Sequence, residues 1–481
     1  MRPAAPLAFT LALLLAASIA PPASAGTALV NGTTVRFEAT RAEENNVTVY
    51  ADRGPGLVVE DERTNLVAGA GCTTVTPRRV RCGDAQILFL SIDLGPANDH
   101  LTVRDSVPVA GELFGGAGND MLRGSLRREL IVGGRGGDTA SYIERAQDVA
   151  VTLGGGADDG AAGEGDDIRE VEGVIGGNGF DTLVGGIASE QLLGGPGDDR
   201  LDGGEGNDRL TGGAGQDLLQ GGVGADVFVA TAAVDGSDAM HGGPGIDRAD
   251  YGRRDESVSV DPDGIQDDGE RPNGDLAFTG PLPPLALLGS PERDNVLPDV
   301  ENVGGGDGAD VLAPTAAGGR VDAGGGTDIV YGGPGRDILT GGSGFDRMVS
   351  RDRQPDTVNC GPRVDRVHGN NGDVIAGDCE QRLLAFRALA SPVTRRLTDE
   401  GLAVRVACPA QAFRRCAGTV SASTVRRVRT GAGGLRRPLF GRARYLAQPG
   451  TSPQVVIPFS AEARALAAEL SPVRLRLVVR G

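Results

Sequence analysis

The chain has no lysine, three histidines, no CxxC pair, no HExxH helix and no GxSxG elbow. These absences remove the usual starting points for a zinc protease, a serine hydrolase or a thiol redox site. Beyond Ala25 no apolar run is long enough to cross a bilayer as a helix, which also removes the inserting segment that a pore-forming toxin needs. All 47 basic residues are arginine, set against 65 acids for a net charge of −18. The charge is also unevenly spread: from Arg382 onward 18 arginines face four acids, so the preceding part of the chain is strongly acidic. The basic tail suits a polyanion such as a cell-wall polymer or other extracellular polysaccharide, or else reads as ordinary solvated strand faces. Nothing in the sequence points to nucleic acid.

What is abundant is glycine, 78 residues of 481, and it is periodic. From Gly176 to Val229 a nonapeptide runs six times without a gap: GGNGFDTLV, GGIASEQLL, GGPGDDRLD, GGEGNDRLT, GGAGQDLLQ, GGVGADVFV. Glycines hold places one, two and four, an acid holds place six, and a large apolar residue holds place eight. Fixed chemistry at a period of nine implies a solenoid built turn by turn, with Leu183, Leu192, Leu201, Leu210, Leu219 and Phe228 pointing inward. A disordered glycine-rich tract would not keep an apolar residue at every ninth place. One buried side chain per repeat is nonetheless a thin core for the backbone entropy lost on ordering. The acids add to the deficit, because bare charges in file about 4.8 Å apart repel by roughly 1 kcal/mol even in water. A divalent cation between turns reverses that sign. Carboxylates and inward carbonyls are hard oxygen donors, so Ca²⁺ is the expected cofactor.

These residues resemble the RTX, or hemolysin-type, calcium-binding repeat. The resemblance implies an all-β fold, a right-handed parallel β-roll or β-solenoid with two nonapeptides per turn and calcium between the loops of repeats n and n+2. By position this pairs Asp181 with Asp199, Asp199 with Asp217, and Asp208 with Asp226. An earlier block, 115–141, adds Asp120 and Asp138 as ligands, with Glu129 in the acid place of a degenerate repeat. A block at 233–250 adds Asp238 and Asp247, and one at 305–349 adds Asp310, Asp328, Asp337 and Asp346. Where the acid is lost the apolar residue stays, as at Val321.

Around this 111–380 roll region the remaining segments take other roles. Residues 1–25, with Arg2, an apolar run and Ala23-Ser24-Ala25, read as a secretory signal peptide, so the protein is expected to be secreted and extracellular. Members of the RTX toxin and protease groups usually lack such a signal, which argues against a toxin-like role. Residues 26–110 read as a β-rich N-terminal cap that already carries a weak repeat at Asp99/Leu101, 350–380 as a degenerate C-terminal cap, and 390–481 as a basic β-sandwich-like domain. Leu383–Leu389 reads as a short helix or linker, and Ala461–Leu470 as a turn or two of helix. In an exported chain the six cysteines form local disulfides as the leading reading, Cys72/Cys82, Cys360/Cys379 and Cys408/Cys416, with zinc as the competitor that the spacing disfavours. A larger duplication, at one constant offset, matches DTASY at Asp138 to DRADY at Asp247, and VAV at Val149 to VSV at Val258.

The expected function is that of a non-catalytic calcium-binding scaffold acting in extracellular structure, adhesion or surface attachment. The alternative is a secreted carbohydrate-active or hydrolytic enzyme that the repeats stabilise.

Overall fold

The computed structural model describes residues 24–39, 43–83, 86–264, 269–270, 294–350, 354–370, 372–385 and 389–392, and the strand segments 402–407, 416–424, 428–429, 435–436, 439–447, 454–458 and 475–480. Every regular element among them is a strand. The chain divides into two compact units, residues 1–142 with 150–174, and 143–149 with 175–481. The signal-peptide reading concerns residues that lie almost wholly outside those described; the first strand, Ser24–Asn31, starts just before the expected cleavage point.

In the first unit one face is a parallel ladder of Thr34–Ala39, Phe89–Asp93, Ala110–Ala117, Glu129–Arg135 and Asp167–Arg169. The other face stacks Asn46–Tyr50, His100–Val103, Met121–Arg123 and Thr139–Ser141, also in parallel. In-register pairs bring Phe37, Ile92, Leu113 and Ile131 into one file on one side and Val47, Leu101, Leu122 and Ala140 into another, all buried. Roll geometry therefore reaches back to Thr34, inside the segment read as a cap. The covering part is antiparallel: Leu57–Asp61 pairs with Asn46–Tyr50, Arg79–Cys82 with Leu57–Asp61, and Cys72–Thr76 with Arg79–Cys82. That last hairpin is closed by a Cys72–Cys82 disulfide.

The second unit holds the long repeat run. Thr182–Val184 pairs in parallel with Arg200–Glu205, and that strand with Leu218–Val223, while the intervening repeats Gln191–Pro196, Arg209–Ala214 and Val227–Val229 build the opposite sheet. Register takes Leu183 to Leu201 and Leu192 to Leu210, skipping one repeat each time, so one turn is two nonapeptides. The place-eight side chains from Leu183 to Phe228 are all buried between the two sheets. Each strand is short, because the turn that follows must return the chain within one repeat.

Two departures from the simple period matter. Ala239–His241 pairs next with Asn295–Val296, a step several repeats long that accommodates the excursion carrying the second copy of the duplication. Further on the ladder does not stop at Val349: Arg347–Val349 pairs with Arg366–Asn370, and that strand with Gln381–Ala385. The stretch expected as a helix or linker from Leu383 thus begins as an edge strand, since the sheet edge left by Arg366–Asn370 offers unpaired backbone groups that an extended segment satisfies. A Cys360–Cys379 disulfide closes this end. Beyond it lie two three-stranded antiparallel sheets, one of Leu389–Pro392, Leu402–Ala407 and Gln454–Ile457, the other of Leu439–Ala447, Cys416–Thr424 and Leu475–Arg480. The helical reading of Ala461–Leu470 and the Cys408 half of the third cysteine pair fall outside the described residues.

Candidate metal centre

The glycines explain how the turns stack. At Gly213, place two of its repeat, φ is +116° and an added Cβ would lie 2.0 Å from the Gly195 carbonyl oxygen one turn earlier. At place one the reason is different. A Cβ on Gly194 would meet Asp199 Oδ2 at 2.3 Å and the Gly212 carbonyl oxygen at 2.6 Å, so the acid of the same repeat and a carbonyl of the next turn converge on the bare face of that glycine. The same pair of oxygens crowds Gly115, Gly203 and Gly221.

Each place-six acid is fixed by its other oxygen. Asp199 Oδ1 accepts from the Asp181 backbone N–H at 2.7 Å, and Asp217 Oδ1 from Asp199 N–H at 2.8 Å. On the alternate turns Asp208 Oδ1 accepts from Glu190 N–H at 2.7 Å, and Asp226 Oδ1 from Asp208 N–H at 2.8 Å. The file continues to Asp238 and Asp247. In the early block Asp120 and Asp138 accept from Asp99 and Asp120, and in the late block Asp328 and Asp346 accept from Asp310 and Asp328. Asp337 accepts from Gly319 N–H. Carboxylates predicted from spacing to be neighbours one turn apart are thus linked directly, backbone to side chain.

The second oxygen of most of these acids has no such donor. Oδ2 of Asp120, Asp138, Asp199, Asp208, Asp217, Asp226, Asp247, Asp328 and Asp346 is buried without a hydrogen-bond partner, and so is Glu190 Oε2. A buried carboxylate oxygen in that state takes up a proton or a cation. Burial accordingly pushes Asp199, Asp120 and Asp138 up to about 6, and Asp208 and Asp217 to about 7, against the opposing pull of the backbone N–H bonds. Asp328 rises to about 9, again chiefly through burial, with Asp310 and Asp346 adding like charge. Among the described residues no point gathers three or more acid, histidine or cysteine side chains. Any ion held here draws most of its ligands from carbonyl oxygens, which suits a hard cation and not a thiophilic one.

The family model of the RTX calcium-binding nonapeptide repeat matches four times, at residues 112–140, 174–199, 193–228 and 317–348. The chain is an RTX-type calcium-binding repeat protein. Among curated proteins none matches it. Matched segments coincide with the stretches in which an acid, an orphan oxygen and a two-repeat register occur together. This RTX protein also extends the same geometry past its recognisable repeats. Asp99 Oδ1 accepts from Asn45 N–H, and Asp365 Oδ1 from Asp346 N–H, each with a buried Oδ2 that lacks a donor. Neither stands among the ligands expected from the repeats, although the six-to-eight spacing of Asp99/Leu101 and Asp365/Val367 carries the signal.

Not every acid is open. Asp181 Oδ2 accepts from Gly177 N–H while its Oδ1 accepts from Val149 N–H at 2.8 Å. Asp310 repeats this arrangement, with Val258 N–H at 2.9 Å on Oδ1 and Gly306 N–H at 3.0 Å on Oδ2. Of the histidines, His100 is half-buried with its pKa lowered by desolvation, beside Thr102 Oγ1 at 3.4 Å.

Proposed function

We propose that the protein is a secreted, non-catalytic scaffold whose roll is made rigid by calcium, and that it serves extracellular structure or surface attachment. The ligands are the place-six acids with an open oxygen, Asp120, Asp138, Asp199, Asp208, Asp217, Asp226, Asp247, Asp328 and Asp346, together with carbonyl oxygens of the glycine turns. One observation carries the reading: a file of buried carboxylate oxygens without a protein donor, of which those of Asp120, Asp199, Asp208 and Asp226 each lie beside a glycine carbonyl of the next turn, and those of Asp138, Asp247 and Asp346 beside the carbonyls of Glu170, Asp299 and Cys360. A proton satisfies one such oxygen but leaves the file neutral only in acid; a divalent ion satisfies it at neutral pH and joins consecutive turns. The secreted setting supplies millimolar calcium, matched to the affinities of about 10⁻⁴ to 10⁻³ M typical of extracellular oxygen-ligand modules. No helix among the described residues is long and apolar enough to cross a membrane.

Calorimetric titration of the full chain with CaCl₂, followed by circular dichroism, tests the proposal. Saturable uptake of several ions with a gain in strand signal is expected. A flat titration with an unchanged spectrum would refute it.

A further inference from the structure

We infer that the duplicated segment is a metal-free closure, in which tyrosine and backbone donors occupy the positions that calcium fills elsewhere; this rests on the calcium reading above. The two copies match at one constant offset in sequence, and each places a buried tyrosine against an acid of the ladder. Tyr142 Oη donates to Asp166 Oδ2 at 2.9 Å, and Tyr251 Oη donates to Asp294 Oδ2 at 2.7 Å. The other oxygen of each acid does the ordinary ladder work: Asp166 Oδ1 accepts from Glu129 N–H at 2.8 Å, and Asp294 Oδ1 from Asp238 N–H at 2.9 Å. Asp166 and Asp294 are therefore ladder acids whose second oxygen is already satisfied by a phenol.

On its other side each copy closes a second acid. Val149 and Val258, equivalent residues of the duplication, give their N–H groups to Asp181 and Asp310, whose remaining oxygens are taken by Gly177 and Gly306. Arg145 and Arg254, again equivalent by the same offset, are both buried, and Arg254 makes an ion pair with Asp235 at 2.7 Å. A fixed guanidinium placed among acids performs the charge balancing that a cation performs in the open repeats. The same solution appears twice at the same positions, whereas the acids of the regular repeats keep an open oxygen. Calcium is thus excluded at Asp166, Asp181, Asp294 and Asp310, and the file of ions is broken at each excursion into separately loaded blocks.

The test uses the full chain. Bound calcium per chain is counted by elemental analysis after dialysis for the native protein and for D294N and D208N. The expected result is a count unchanged by D294N and lowered by at least one ion in D208N; an equal loss in both overturns the closure. Since an asparagine could unfold the excursion, Tyr251→Phe is measured alongside by amide hydrogen exchange in excess chelator. Removing the phenol should speed exchange about tenfold or more at residues 238–251 and 294–304, and unchanged exchange there overturns the proposal. That arm needs no calcium, so it decides the closure even if the native chain proves to bind none, a result that would sink the calcium reading alone.

Discussion

Residues 43–103 and residues 176–249 each contain a parallel ladder, and the two are held by opposite means. In the first stretch the interior is layered: Val47, Val49, Val58, Val59, Val80, Leu101 and Val103 are all buried, and a disulfide joins Cys72 to Cys82. Its ladder acid Asp99 accepts both the N–H and the side-chain amide of Asn45 on one oxygen. The repeat run has one apolar side chain per repeat, in two files that face each other, Leu183, Leu201 and Leu219 against Leu192, Leu210 and Phe228, between rows of buried acids. Parallel strands in register thus do not by themselves specify what holds them. The first stretch is held by apolar burial and a covalent link, the second by whatever occupies its open carboxylates.

Removing calcium is the strongest way to break the comparison. In excess chelator, amide exchange across 182–229 should approach the unprotected rate while 46–103 keeps its protection. Equal protection of both stretches would mean that the repeats stand on their own core. A smaller but still severe effect is expected from Gly213→Ala, where a positive φ and a carbonyl 2.0 Å from the new Cβ both oppose the side chain. Strain at such a position costs about 1–3 kcal/mol before the clash is counted. Gly32→Ala, with φ +63° but open space around it, should cost only the conformational part. Calcium-loaded melting curves of the two variants make the check.

Leu210→Ala removes one member of the thin core and should destabilise the calcium-loaded roll by about 2–5 kcal/mol, read from denaturant unfolding. Replacing Cys72 and Cys82 by serine should cost roughly 2–4 kcal/mol, with the loss of exchange protection confined to the first stretch. A separate effect is that of pH. The acids Asp199, Asp208 and Asp217 have pKa values raised in the fold to about 6, 7 and 7. The folded apo chain therefore binds more protons than the unfolded one, and its stability should rise as pH falls from about 8 to about 5. With calcium present the order inverts, because protons compete for the same oxygens. A calcium-free chain that becomes less ordered on acidification over that range would contradict the open-carboxylate geometry.

Much of this arrangement could be read from the sequence, for a physical reason. A turn of two nonapeptides repeats both contacts and chemistry, so Leu183, Leu201 and Asp199, Asp217 advertise the stacking through spacing alone. The Cys72/Cys82 and Cys360/Cys379 bridges were legible in the same way, being local. What was not legible is non-periodic. The bonds from Tyr142 to Asp166 and from Tyr251 to Asp294 span unequal lengths of chain, and no spacing rule links a phenol to an acid at such distances. Asp181 and Asp310 look like their neighbours in sequence, yet their second oxygens are closed because the preceding residues leave and rejoin the ladder there. The strand Gln381–Ala385 was also hidden, since an edge strand is decided by the open edge it meets and not by its own pattern.

The central claim is that cations, not side-chain packing, complete the repeat blocks. Isothermal calorimetric calcium titration of the chelator-stripped full chain, with elemental analysis of the end point, tests it most directly. The account predicts several bound ions per chain, taken up together with the ordering of 182–229. A chain that ends the titration without bound calcium, and is as well ordered before it as after, would contradict the account.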